Sequence, residues 1–129
     1  MTLQGKGFFT FLLPECEAGN PADIVSAAKA AGLSHVLVKI ADGVNPFGIN
    51  PSNDFTAPVV RALRAAGIAV WGWHYVYGDN PLAEAAMAIS RLQVLDLDGY
   101  VVDAEDEYKK PGKEAAARQF MEKVRAALD

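Results

Sequence analysis

KAAGLSHVLVKIADG, residues 29–43, returns with the same grammar as RAAGIAVWGWHYVYGD, residues 64–79. Each copy opens on the end of an Ala-rich amphipathic segment and stops it at a glycine, Gly32 or Gly67. A glycine just past a helical pattern is a C-terminal stop signal. Each copy then enters a short apolar run rich in Val, Ile, Trp or Tyr and bounded by Gly or Asp, which reads as a strand. The repeated phrase is therefore helix end, turn and strand, and from Lys29 to Arg64 it recurs after 35 residues.

Working outward, the same alternation covers the chain. Strands are expected over Gly7–Leu13, His35–Ala41, Ile68–Tyr75 and Tyr100–Ala104. Their near-continuous apolar character suits strands covered on both faces, as in a parallel sheet. Asn20-Pro21 and Asn80-Pro81 each set a capping side chain before a proline at the first helical position, and Thr56 with Pro58 serves the second helix. The fourth helix is expected from about Glu114 to Leu128, with Phe120, Val124 and Leu128 at i, i+4, i+8 as its core stripe.

The fold class is thus α/β, one domain over residues 1–129 built from four βα units. An eight-unit barrel of about 250 residues has a similar period, so four units make a (βα)4 half of a TIM barrel. Half a barrel leaves its first and last strands with unpaired edges, which natural proteins avoid. Three outcomes fit the sequence. Two chains pair edge to edge as a homodimer, the four strands form an open doubly wound sheet, or the chain is part of a longer protein.

Composition narrows the partners. The 129 residues are 51% hydrophobic and 22% charged, with a net charge of −4. That balance offers no electrostatic attraction to nucleic acid or to anionic lipid. The run FFTFLL after Lys6 is too short for a leader peptide, Pro14-Glu15 follows it without a cleavage site, and no segment approaches the roughly 20 apolar residues of a membrane span. With a single cysteine, Cys16, and no leader read in this chain, the cytoplasm is the default expectation and the compartment stays unassigned.

Function is expected where strands end and helices begin. Strand four runs GYVVDAEDEY, and Asp103 and Glu105, two residues apart, point to the same side. Two strand residues span about 6.6 Å, so their carboxyl groups can adopt either separation used in glycoside hydrolysis. Crowding also raises the pKa of one member of such a pair, keeping it protonated as an acid. Asp106 and Glu107 are read as loop-solvating.

Lys39, inside VLVKIA, needs a partner, and Asp103 or Glu105 is the expected one; Asp42 closes that strand on its other side. On strand three Trp73 and Tyr75 share a side with Trp71 and Tyr77, offering flat faces to a sugar, while His74 lies on the opposite side as a candidate base or donor. The loop 41–54 is long for its type and lies at the same end as the acids. No cofactor is called for. GxGxxG, P-loop and GxSxG patterns are missing, and two histidines 39 apart, without HxxxH or CxxC spacing, give no zinc signature.

VKIADG (38–43), GIAVWGWHYVYGD (67–79) and GYVVDAED (99–106) together resemble the first half of the family-25 glycoside hydrolases, the Chalaropsis-type lysozymes. The resemblance spans roughly residues 5 to 125 in order and spacing. It implies a carbohydrate ligand, peptidoglycan among the candidates, with Glu105 as general acid and Asp103 stabilising the sugar intermediate. Lys39, Asp42, Trp73, His74 and Tyr75 would line the substrate site. Two departures stand out: strand one, GFFTFLLPE, lacks the aspartate that family carries, and strands five to eight have no counterpart. A non-catalytic, self-associating half-barrel, or a fragment of a larger barrel protein, is the alternative expectation.

Overall fold

A computed structural model of the chain describes residues 2–128. Local signals in the sequence start two helices as expected. The Asn20 side chain accepts the Asp23 amide at 3.1 Å to begin α1 (Pro21–Ala30), and Asn80 accepts the Ala83 amide at 3.4 Å to begin α3 (Pro81–Leu95). At α2 (Thr56–Ala65) the cap is not Thr56. Asp54 Oδ1 takes the Thr56 and Ala57 amides at 2.9 and 3.0 Å, while Thr56 itself is fully buried in the first turn. A carboxylate there both satisfies orphan amides and faces the positive end of the helix dipole. The fourth helix, α4, runs Lys113–Leu128.

The main strands are β1 (Gly7–Phe9), β2 (His35–Asp42), β3 (Ala69–Val76) and β4 (Gly99–Ala104). They pair in parallel in the order β1-β2-β3-β4. A doubly wound sheet reverses its strand order at a switch point. Here each crossover advances one strand in the same direction, so with right-handed crossovers all helices fall on one face. The sheet curls into a half-barrel with helices outside, and the doubly wound alternative is excluded by that order.

Strand one is shorter than expected. After Phe9 only the Thr10 amide continues the ladder, to Leu37 O at 2.8 Å, and the chain then turns at the 3-10 segment Leu13–Glu15. Pro14 has no amide to donate, and Leu13 turns into the core instead.

The alternation of strand side chains divides the molecule. Val36, Val38, Ile40 and Val70 face outward and pack beneath Ile24 and Ala28 of α1, Val59, Val60 and Leu63 of α2, and Leu95 of α3. Val76, Ala85, Ala88, Phe120 and Val124 form a second cluster under α3 and α4. Leu37, Lys39, Trp71, Trp73, Tyr75, Val101 and Asp103 take the concave face, as period two requires.

One irregularity matters for everything at the mouth. The β2–β3 register runs Lys39↔Trp73 and then Ala41↔His74, so Ile40 is an extra residue in the ladder. Its carbonyl is taken by the Phe47 amide at 2.9 Å and by Arg91 Nε at 3.0 Å. A bulge of this kind re-aims the side chains beyond it. Ala41 moves to the helix side, and Asp42, expected opposite Lys39, lands on the concave face beside it.

Candidate functional site

The concave floor is closed by aromatics rather than left open. Lys39 is 5% exposed, and its Nζ lies 4.6, 4.4 and 5.0 Å from the ring centres of Phe11, Phe47 and Trp73. Burying an ammonium costs several kcal/mol without compensation. Three rings at cation–π distance return about 0.5–2 kcal/mol each. The ion pair with Asp42, Nζ to Oδ2 at 2.6 Å, supplies the remainder. Lys39 is therefore partnered by Asp42, not by Asp103 or Glu105 as expected, because the bulge at Ile40 brings the nearer carboxylate round.

Trp73, 8% exposed, donates its indole N–H to Thr10 O at 2.8 Å and stacks on Phe11 at 6.1 Å. That bond reaches across β2 and ties the end of β1 to the centre of the sheet. Trp73 is on the concave face, as expected, but Phe9 and Phe11 cover it.

At the C-terminal ends of the strands, Asp42 pairs with Tyr75 and Tyr75 with Asp103 in register. These three side chains form one row across β2, β3 and β4. With strands about 4.8 Å apart, the two aspartate Cα atoms are roughly 10 Å from each other. Tyr77 O–H donates to Asp42 Oδ1 at 2.6 Å, and Tyr75 O–H donates to Glu107 Oε2 at 2.7 Å. The two tyrosine rings meet edge to face at 5.1 Å.

Charge is distributed unevenly along this row. Burial pushes the Asp42 carboxyl up, but the bonds from Lys39 and Tyr77 and the Lys39 charge outweigh it, holding the group below the ordinary range. Glu105 moves the other way. Its hydrogen bond with Asp103, followed by the Asp103 charge, raises its pKa, because two neighbouring carboxylates share a proton more readily than they both ionise. The bond from Tyr77 to Asp42 lifts that phenol to about 12, so it remains a donor. Asp103 and Glu105 are thus brought together as expected. Asp103 is half-buried and Glu105 exposed, since β4 is the last strand and the hollow beside them has a wall on one side only.

His74 belongs to a different environment. It is fully buried on the helix side of β3, with Phe120 at 6.1 Å. Its Nε2–H donates to Gly43 O at 2.7 Å and its Nδ1 accepts from Tyr100 O–H at 2.8 Å. Burial lowers its pKa, which fits the neutral ring that these two bonds define. The side chain expected to meet substrate is separated from the concave face by the sheet itself.

Residues not singled out by sequence complete the mouth. Glu107, expected only to solvate a loop, orients Tyr75 from the 3-10 segment Asp106–Lys109. Arg91 of α3, 5% exposed, pins the 41–54 segment through Ile40 O and through Phe47 O at 3.2 Å. Glu84, 1% exposed, accepts the Tyr77 and Gly78 amides at 2.7 and 2.9 Å. The 41–54 segment itself is ordered by short antiparallel pairings: Asn45–Pro46 against β2, and Ile49–Asn50 against Asn53–Asp54. A signal existed for Glu84, an acid one turn inside a capped helix, but nothing local marks Arg91.

Beside Asp42 opens a cleft of about 390 Å3 lined by Gly43, Asn45, Tyr77, Asp79 and Glu84. Among the described residues, no group of three or more His, Cys, Asp or Glu side chains is arranged to hold a metal ion. Nor is any helix among them long and apolar enough to cross a membrane. No family model, curated protein or solved structure matches the chain.

Proposed function

We propose that this half-barrel acts on carbohydrate, peptidoglycan-type glycans among the candidates, through Asp103 and Glu105 at the end of β4. The observation that carries the reading is the placing of Asp103 at the end of β4 with Glu105 two residues on, where the Asp103 carboxyl raises the pKa of Glu105. Glycoside hydrolysis needs that division of labour, one carboxylic acid to protonate the leaving oxygen and one carboxylate to meet the developing positive charge. Glu105 is the donor and Asp103 the stabilising carboxylate. Tyr75, held by Glu107, and Tyr77, held by Asp42, present oriented phenols to the sugar. Lys39 and Trp73 support the floor beneath them, and Asp42 is the ionised group at the far end of the row.

Release of reducing ends from a glycan, measured for the native chain and for Glu105→Gln, tests the reading. The variant should lose at least about a hundredfold in rate, the usual range for a general acid. Equal rates would remove Glu105 from the chemistry.

A second reading, a non-catalytic half-barrel that associates with itself, is favoured by the sheet's first strand. Phe8 and Phe9 are 58% and 59% exposed on β1, whose outer edge has no neighbour among the described residues. Mass in solution tests it, and a strict monomer at high concentration would exclude it.

A further inference from the structure

We infer that the pocket between the turn after β1 and the β2–α2 connection binds a small organic acid, one ring or branched chain whose single carboxylate meets Lys39. Neither Asp103 nor Glu105 lines this pocket, so its ligand stands apart from the glycan chemistry.

Two cavities meet at the Lys39–Asp42 pair, one lined by each partner, and their chemistry is opposite. Asp42 lines the cleft of about 390 Å3, together with Asp79 and Glu84. Lys39 lines a smaller pocket of about 180 Å3, walled by Phe11, Leu12, Leu13, Phe47 and Phe55, and no acidic residue contributes to it. In a chain of net charge −4, a pocket with a lysine and no carboxylate favours an anion.

Size and walls restrict the rest of the ligand. An apolar cavity of about 150 Å3 takes up benzene. The slightly larger space here suits one ring or a branched chain beside a carboxylate. Phe11 and Leu12 are 53% and 39% exposed, so such a ligand would also cover apolar surface now facing water. A sugar or a phosphate ester would bring more polar atoms than these walls can satisfy.

Donors for the carboxylate are in place. An ammonium carries three N–H donors, and Asp42 Oδ2 is the one acceptor bonded to Lys39 Nζ among the described residues. Phe11 and Phe47, both walls of the pocket, hold their ring centres 4.6 and 4.4 Å from that nitrogen. A charge-assisted bond to a carboxylate is stronger than a ring face at that distance, and Phe11, more than half exposed, is the wall free to turn aside. Lys39 would then bridge two carboxylates, that of Asp42 and that of the ligand. Asn50 adds a second donor. Its Oδ1 accepts the Ser52 amide and hydroxyl, both at 3.0 Å, which leaves its Nδ2 group to donate at the pocket.

Phenylacetate is the probe, titrated into the 129-residue chain and followed by amide NMR. Saturable shifts should centre on the amides of Leu12, Ile49 and Asn50. Phenylacetamide has the ring without the charge, and acetate has the charge without the ring. Each should bind at least about tenfold more weakly than phenylacetate. Asn50→Asp retains an oxygen for Ser52 but sets an anion at the pocket, and it should weaken phenylacetate at least about tenfold. Lys39→Met should abolish binding; if that variant does not fold, Asn50→Asp, at an exposed position, still decides the matter. The inference is overturned by the lack of a saturable shift up to about 10 mM phenylacetate. It is equally overturned by phenylacetamide binding as tightly, by shifts centred on Phe8 and Ala28 instead, or by a folded variant that binds as the native chain does.

Discussion

Lys39 and Asp42, three residues apart on β2, face the same way only because Ile40 stands out of the ladder between them. In an unbroken strand residues i and i+3 lie on opposite faces. The ion pair is therefore a product of backbone geometry, and it fixes the polar character of the concave floor.

Breaking that pair should destabilise the fold unequally. Asp42→Asn leaves a buried ammonium with only aromatic company and should cost about 1–3 kcal/mol in urea unfolding, below the range for a fully buried pair because Asp42 is one-third exposed. Lys39→Met keeps the volume among Phe11, Phe47 and Trp73, and the double variant should lose less than the sum of the singles. Additivity would mean the pair is not coupled. The pH dependence has a defined sign. Asp42 is depressed in the folded state, so its contribution is present above the unfolded carboxyl pKa of about 3.9 and is lost as pH falls through the lower folded value. That component should vanish in Asp42→Asn.

His74 makes the opposite kind of group, a base kept neutral. Its folded pKa lies below the unfolded value of about 6.5, so in the interval between them the unfolded chain binds more protons. Stability should be complete above pH about 6.5 and decline as pH falls below it. His74→Gln should flatten that slope between pH 5 and 7. It should also cost about 1–3 kcal/mol where the Gly43 carbonyl or Tyr100 hydroxyl loses its partner. A native profile with no slope there would refute the buried, uncharged ring.

The proton on Glu105 is held by its neighbour. Replacing Asp103 with Asn removes the charge that raises Glu105, so an NMR titration of the Glu105 side chain should move to lower pH. An unchanged titration would show that the two carboxyl groups do not interact.

Arg91 ties the long β2–α2 connection to the body of the protein. Arg91→Met keeps the aliphatic stem but removes the bonds to Ile40 O and Phe47 O. Cleavage within residues 44–55 by a nonspecific protease should accelerate at least about tenfold relative to the native chain, as expected when roughly 1.4 kcal/mol or more of local protection is lost. Equal cleavage rates would place the anchoring elsewhere.

Much of the architecture is legible because it is written in local terms. Asn-Pro starts, glycine stops and alternating strands need only near neighbours, and the repeated phrase indicates how many units to expect. The shared side of Asp103 and Glu105 is a matter of period two alone, and Tyr100 and Val102, on the alternate positions, pack against the cluster under α3 and α4. What period two cannot carry is an interruption of itself. The bulge at Ile40 is stabilised by Arg91, 51 residues away, and by a turn of the next segment, so strict alternation puts Asp42 on the wrong face and gives Lys39 the wrong partner. His74 falls on the correct face, but its burial depends on α4, whose docking no single strand reveals. The cap at Asp54 escapes notice because a threonine at the helix start resembles a better candidate than the acid two residues before it.

The bond from Trp73 to Thr10 joins positions 63 residues apart, and it has a kinetic consequence. Contacts that close so long a loop carry a larger entropic penalty and form late when their elements are short. β1 has three residues, and this bond with the Thr10 amide is much of what secures its end, so β1 should be the last strand to dock and the first to fray. Amide exchange at Phe9 and Thr10 should then outpace that of β2 and β3. Nascent chains would spend their slowest moment with three phenylalanines in water, and any pairing between copies would have to wait for that final step.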